Sequence, residues 1–128
     1  MDKIENIYFV GIGGIGMSAI ARHFNALGKK VAGYDRTPSP LTHALEEEGA
    51  QIHYDDNVAL IGEEWLNPAT TLVVYTPAIP ADHTELNHFR GGGFEVVKRS
   101  EVLGHLTAGK VVTAIADGAA AVHLAEEY

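Results

Sequence analysis

The chain has 128 residues, 46% of them hydrophobic and 20% charged, which is length and apolar content enough for one globular domain with a real core and argues against disorder. Seventeen acidic against nine basic residues give a net charge of −8, which excludes general condensation onto nucleic acid, so a phosphate-bearing ligand has to be held by local donors. No apolar stretch approaches the roughly 18 residues of a membrane span, Met1-Asp2-Lys3-Ile4-Glu5 lacks the basic-then-apolar build of a signal peptide, and cysteine is absent, so a cytoplasmic protein without disulfides or membrane contact is expected.

Short apolar runs alternate with helical patterns along the chain, which predicts an α/β fold: a Rossmann-like, doubly wound, mainly parallel sheet with helices on both faces, in a single domain. Strands are expected at Asn6–Val10, Lys30–Tyr34, Gln51–Tyr54, Thr71–Tyr75, Glu95–Lys98 and Val111–Ile115. Several are apolar on both faces, as strands covered on both sides should be. Met17, Ile20, Ala21, Phe24 and Leu27 form the buried stripe of a first helix closed by Gly28. Further helices are expected over Leu41–Glu48, Ala59–Trp65, His83–Phe89 and Ser100–Leu106, each following a strand so that right-handed crossovers build the sheet.

Between the first strand and the first helix stands Gly11-Ile12-Gly13-Gly14-Ile15-Gly16. Glycines there permit a tight turn, close approach of phosphate and close packing, and the phosphate meets unpaired N–H groups at the positive end of the helix. A lone GxGxxG is weak, but here a strand precedes it, a helix follows it and Asp35 ends the next strand. The expected diphosphate contacts are Gly11, Gly13, Gly14, Ile15, Gly16, Met17 and Ser18; an ordinary glycine turn is the bland alternative. Ligands of such sheets lie at the carboxyl ends of the strands, which also brings in Asp55–Asn57, Thr76–Ile79 and Arg99–Glu101.

Asp35 can accept from the vicinal hydroxyls of a ribose, although a turn aspartate ahead of Thr37-Pro38 would explain it too. Arg36 can lie over a base or meet phosphate, or be a solvated surface arginine. In Thr76-Pro77-Ala78-Ile79-Pro80 the prolines end the strand and fix the loop, leaving Thr76 free to face a ligand or simply making a turn. The seven histidines show neither HExxH nor paired spacing on a shared face, so surface or capping roles are expected and no metal site. No triad or close carboxylate pair calls for a catalytic residue.

Taken together, Phe9-Val10-Gly11-Ile12-Gly13-Gly14-Ile15-Gly16-Met17-Ser18, Gly33-Tyr34-Asp35, Val73-Val74-Tyr75-Thr76-Pro77-Ala78-Ile79 and Lys98-Arg99-Ser100-Glu101-Val102-Leu103 resemble the N-terminal UDP-binding domain of the Mur ligases. The likeness is greatest to the members that add L-alanine to UDP-N-acetylmuramate in bacterial peptidoglycan synthesis, and it covers nearly the whole chain. It implies a domain that holds the UDP part of UDP-N-acetylmuramic acid, with the glycine loop on the diphosphate and Asp35, Arg36, Thr76, Pro77, Ala78 and Ile79 around the uridine. In the full-length family ATP and magnesium convert the muramoyl carboxylate to an acyl phosphate that the amine attacks.

Two stretches depart from the pattern. Many relatives carry Gly-His where this chain has Asp55-Asp56 before the matching Asn57, which leaves His53 or Asp56 as candidates for that histidine's contact. The family continues from a strand like Val111–Ile115 into Gly-Thr-His-Gly-Lys-Thr-Thr, whereas this chain reads Asp117-Gly118-Ala119-Ala120-Ala121. The bracketing glycines, the lysine and the magnesium-binding hydroxyl of an ATP loop are missing there. The expected layout is a UDP-binding domain over residues 1–116 and a helical remnant over 117–128, in a truncated domain inactive by itself and holding no cofactor. The competing reading from another class is an NAD-binding Rossmann domain of a dehydrogenase or sensor, in which Asp35 would select the unphosphorylated cofactor.

Overall fold

A computed structural model describes residues 4–102. Five parallel strands, β1 (Asn6–Val10), β2 (Lys30–Tyr34), β3 (Gln51–His53), β4 (Thr71–Tyr75) and β5 (Glu95–Lys98), form one sheet in the order β3-β2-β1-β4-β5. Helices α1 (Ile15–Ala26), α2 (Pro40–Glu47) and α3 (Thr84–Gly91) connect them. β1 lies at the centre, paired in register with β2 from Asn6 opposite Lys30 and with β4 from Asn6 opposite Thr71. The expected strand Val111–Ile115, most of the expected helix Ser100–Leu106, and residues 117–128 lie outside the described residues; Arg99 to Val102 are helical.

Alternation along β1 divides its side chains between two cores. Ile7 and Phe9 join Met17, Ile20, Phe24, Leu45, Leu72 and Val74 beneath α1 and α2. Tyr8 and Val10 join Ala32, Trp65, Val73, Leu86 and Phe89 on the opposite face with α3. A strand buried on both sides is apolar wherever its side chains find no polar partner: Ile7 to Val10 of β1 join the two cores, and the buried Asn6 at its start donates from Nδ2 to Glu64 O at 2.7 Å. The doubly wound arrangement expected from the sequence is therefore present.

Helix ends follow local chemistry. α1 closes on Gly28, whose φ is +83°, with Gly28 N–H donating to Asn25 O at 3.0 Å and Lys29 N–H to Phe24 O at 3.1 Å. α2 opens on Ser39 with a reciprocal capping box to Thr42 and Pro40 in its first turn.

The expected helix over Ala59–Trp65 is not formed. Two short 3-10 turns, Val58–Leu60 and Glu63–Leu66, stand there instead. Gly62 divides them because the Trp65 ring packs onto it: a Cβ at Gly62 would lie 2.9 Å from that ring. Burying the Trp65 side chain, which is 2% exposed, against the sheet outweighs one continuous helix.

Candidate functional site

Strand order changes direction between β1 and β4, whose crossovers run to opposite faces, so a crevice opens beyond their carboxyl ends. A cleft of about 870 Å3 lies there. Its floor is Gly11, Gly13 and Gly14; one wall is the segment from Tyr34 to Ser39, and the other is Thr76, Ala78, Ile79 and Pro80 continuing into Asp82, His83 and Thr84.

The glycine loop is fixed from both sides. Gly11 and Ile12 N–H both donate to Tyr34 O, at 2.8 and 3.0 Å. Gly11 has φ +93°, and a Cβ there would lie 2.5 Å from Thr76 Cγ2, so the loop and the β4 wall meet only because the side chain is absent. Gly13 N–H donates to Asp35 Oδ2 at 2.6 Å, and Thr37 N–H donates to Asp35 Oδ1 at 3.2 Å. Asp35 thus ties the loop to the end of β2 and still borders the cleft. On the far wall Thr76 N–H donates to Val10 O at 3.2 Å and Ile79 N–H to Thr76 O at 3.1 Å, which closes the turn that carries Pro77 and Ala78.

Gly14 stands at the N-cap of α1 with no side chain capping the helix. The first-turn N–H groups therefore have no side-chain acceptor, and Gly14, at the positive end of the helix dipole, borders the cleft. Ile15 is exposed, whereas Met17 and Ser18 are buried in the helix underside and Ser18 Oγ donates to Ile15 O at 2.9 Å. Ser18 N–H donates to Gly14 O at 2.8 Å, so of these four Ile15, Gly16 and Met17 can offer a ligand backbone N–H groups and Ser18 cannot; the Met17 and Ser18 side chains are buried. Gly16 makes room for another residue: a Cβ there would lie 2.8 Å from Arg99 Nη1, so Arg99 lies across the start of α1.

The inner wall rests on a buried acid. Glu85, fully buried, accepts from Tyr8 OH at 2.5 Å, from His53 Nε2 at 2.6 Å and from Asn57 N–H at 3.0 Å. Burial first, and Glu85 second, push the Tyr8 phenol far above the usual tyrosine range, so it stays a donor. Asp56 accepts from Thr84 N–H at 2.7 Å and Glu85 N–H at 2.9 Å at the start of α3. Burial alone would raise the Asp56 carboxyl, but these two N–H bonds and nearby His83 bring it below its ordinary value.

The sequence placed Gly11, Gly13, Gly14, Asp35, Arg36, Thr76, Ala78 and Ile79 at strand ends, and all eight border this cleft. Pro77 sits in the turn but not on its surface. Of the two candidates for the missing histidine contact, Asp56 borders the cleft, while His53 is held against Glu85 and Tyr8 and lines a separate small hollow with Leu60 and Gly62. Tyr34, Ser39, Asp82, His83 and Thr84 were not read as site residues. His83, one of seven histidines expected in surface or capping roles, caps α3, and only the fold shows that this cap stands in the cleft wall. Among the described residues no group of three or more His, Cys, Asp or Glu side chains could hold a metal ion.

Comparison with known proteins agrees with the fold. The profile described as "Mur ligase family, catalytic domain" matches residues 6–111. The chain is 63% identical over 107 residues to a UDP-N-acetylmuramate–L-alanine ligase of Parabacteroides distasonis, covering 84% of this chain and 23% of that protein. It is 59% identical over 111 residues to the enzyme of the same name in Phocaeicola vulgatus, covering 86% and 24%. Its fold superposes on the crystal structure of the UDP-N-acetylmuramate–alanine ligase of Thermotoga maritima with a TM-score of 0.69 at 32% identity, over 82% of this chain and 23% of that one. The chain thus spans about a quarter of the length of these relatives. They favour a ligase domain over the dinucleotide-binding alternative. With its glycine loop, its all-parallel sheet and its match over residues 6–111, this chain belongs to the Mur ligase family.

Proposed function

We propose that this chain binds the UDP moiety of UDP-N-acetylmuramate, as the N-terminal domain of a cytoplasmic ligase that adds L-alanine in bacterial peptidoglycan synthesis. The observation that carries this reading is the uncapped start of α1 beside a cleft whose far wall joins the apolar Ala78, Ile79 and Pro80 to the polar Thr76, Asp82, His83 and Thr84. A diphosphate fits the glycine loop and the free N–H groups of α1, where backbone dipoles supply the positive potential that the net charge of −8 does not. The nucleoside fits beyond it, where Asp35 and Asp56 offer acceptors to hydroxyl or ring N–H groups and Thr76 and Ile79 give a short apolar contact.

Catalysis is not assigned to this chain. The ATP and magnesium of the full-length family require a lysine on the β and γ phosphates and a hydroxyl on the metal, and Asp117-Gly118-Ala119-Ala120-Ala121 provides neither. The residues present do not fit that group, so the chain is proposed to bind substrate and to be inactive alone.

Calorimetric titration with UDP-N-acetylmuramic acid, NAD and ATP in parallel tests the reading. Binding of the UDP-sugar alone is the expected result. Binding of NAD alone would transfer the cleft to the dinucleotide class.

A further inference from the structure

Most backbone donors of the glycine loop are already taken. Gly11 and Ile12 N–H donate to Tyr34 O, Gly13 N–H to Asp35 Oδ2, and Gly14 N–H to Gly11 O at 3.3 Å. Ser18 N–H is taken by Gly14 O. The donors left at the start of α1 are the N–H groups of Ile15, Gly16 and Met17, which have no acceptor among the described residues. Asp35, fastened to the loop through Gly13, puts a negative charge beside them that opposes a phosphate.

Arg99 supplies a cation at this point. A Cβ on Gly16 would lie 2.8 Å from Arg99 Nη1, 3.1 Å from Cδ and 3.4 Å from Cζ, so the guanidinium fills the space of a Gly16 side chain. The Cα–Cβ direction in a helix leans toward its N-terminus, which puts a group in that space on the side of the free N–H groups. The segment that carries Arg99 is held from beneath: Lys98 N–H, at the end of β5, donates to Glu101 Oε1 at 2.7 Å, and the buried Val102 joins Met17 and Ile20 in the core under α1.

Among the described residues Arg99 pairs with no carboxylate. Half-buried, it stands at the positive end of the α1 dipole, where a cation is disfavoured in the empty chain. An anion between them reverses the sign of that interaction, and the fork of guanidinium N–H groups matches phosphate oxygens. Gly14 borders the cleft whereas Gly16 and Arg99 do not, so the guanidinium stands beyond the nucleoside walls.

We propose that Arg99 is a ligand-contacting residue whose guanidinium meets the distal phosphate of the diphosphate, the one farther from the nucleoside, beside the first-turn N–H groups of α1. This rests on the UDP reading above and adds to it a residue from the far edge of the sheet. Gly16 then serves the site by leaving room for a cation.

Arg99→Gln removes the charge and keeps a polar side chain. Wild type and variant are titrated with UDP-N-acetylmuramate, UDP and uridine monophosphate, which lacks the distal phosphate, beside thermal unfolding of the unliganded chains. The expected result is a loss of about tenfold in affinity for the two diphosphates, with uridine monophosphate bound as by wild type. The unliganded variant should unfold at the same or a higher temperature, because a cation leaves the positive end of a helix.

Unchanged affinity for UDP would overturn the proposal and leave the UDP reading standing. An equal loss for uridine monophosphate would move the contact to the proximal phosphate, and a loss confined to UDP-N-acetylmuramate would move it to the sugar; either overturns the distal assignment. A lower unfolding temperature with equal losses for all three ligands would make Arg99 a strut of α1 and overturn the contact. Failure of wild type to bind UDP or UDP-N-acetylmuramate would overturn both readings together.

Discussion

Gly13 N–H donates to Asp35 Oδ2 at 2.6 Å, so the middle of the glycine loop is fastened to the carboxyl end of β2. The bond gives the carboxylate a second task beside any hydroxyl contact, because each of its oxygens takes one backbone N–H and has a further lone pair, and Asp35 borders the cleft. Asp35→Ala is expected to lower UDP-N-acetylmuramate affinity by about 1 to 3 kcal/mol, the cost of losing hydrogen bonds to a charged acceptor. Titration of the folded variant checks this. An unchanged affinity would remove Asp35 from the binding surface.

Substitution at Gly13 acts on the same bond. A Cβ there would lie 2.7 Å from Asp35 Oδ2 and 2.9 Å from Thr42 Cγ2. Phosphate approach to the glycine loop by itself predicts that Gly13→Val blocks binding and leaves the fold largely intact. In the structure the added side chain also drives Asp35 and α2 away from the loop, so the variant is expected to lose both binding and about 1 to 3 kcal/mol of stability by overpacking. Urea unfolding of Gly13→Val against wild type reads the second effect independently of any ligand.

Four of the five described strands have the bounds that alternation and apolar runs predict, and β3 ends one residue sooner, at His53. That success has a physical origin: a parallel strand covered on both faces is predominantly apolar, and the chain writes this plainly in Ile7-Tyr8-Phe9-Val10. The floor of the cleft was legible for a similar reason, since a loop that touches neighbouring backbone and side chains closely needs glycine. The inner wall was not. Glu85, Tyr8 and His53 are spread along the sequence, and their meeting depends on the placement of α3 against the end of β3, a tertiary contact that no local pattern encodes. Ala59–Trp65 failed because a helical spacing of apolar residues does not reveal that Trp65 will turn inward over Gly62.

The Glu85 cluster is expected to be costly to break. Glu85→Ala leaves the Tyr8 hydroxyl, His53 Nε2 and Asn57 N–H without their acceptor in a buried place. A loss of about 3 kcal/mol or more is expected, and Tyr8→Phe, which removes one donor of three, should cost about 1 to 2 kcal/mol. A double-mutant cycle should show coupling between the two, because the second substitution removes a bond the first has already broken. Additive losses would mean that Tyr8 and Glu85 contribute separately.

Asp56 makes the start of α3 sensitive to acid. Its carboxyl is held below the ordinary 3.8 in the folded chain, so folding favours its charged form. The resulting stability is complete above pH 3.8 and is lost as pH falls through the lower, folded value. Asp56→Ala should cost about 1 kcal/mol near neutral pH, the usual loss of a helix-start acceptor. Its unfolding curve should converge on that of wild type in strong acid, where the wild-type carboxyl is protonated. Urea midpoints measured from pH 7 down to pH 2.5 test the convergence.

His23 produces an acid dependence in a higher window. It is 8% exposed with Nε2 unpartnered, and burial lowers its proton affinity below the ordinary 6.5. The unfolded chain takes the proton near pH 6.5 while the folded chain still resists it, so the unfolded state binds more protons between the two values. Stability is therefore full above pH 6.5 and declines as pH falls from there toward the folded value. The positive charge that the carboxyl end of α1 would otherwise favour is opposed by this desolvation. His23→Leu removes the titrating group and the unpartnered nitrogen together, so it should stabilise the chain and flatten the fall in urea midpoint between pH 7.5 and pH 5.5. The difference between variant and wild type isolates His23 from the other six histidines. A variant whose midpoint falls as steeply as wild type over that interval would assign the slope to another residue.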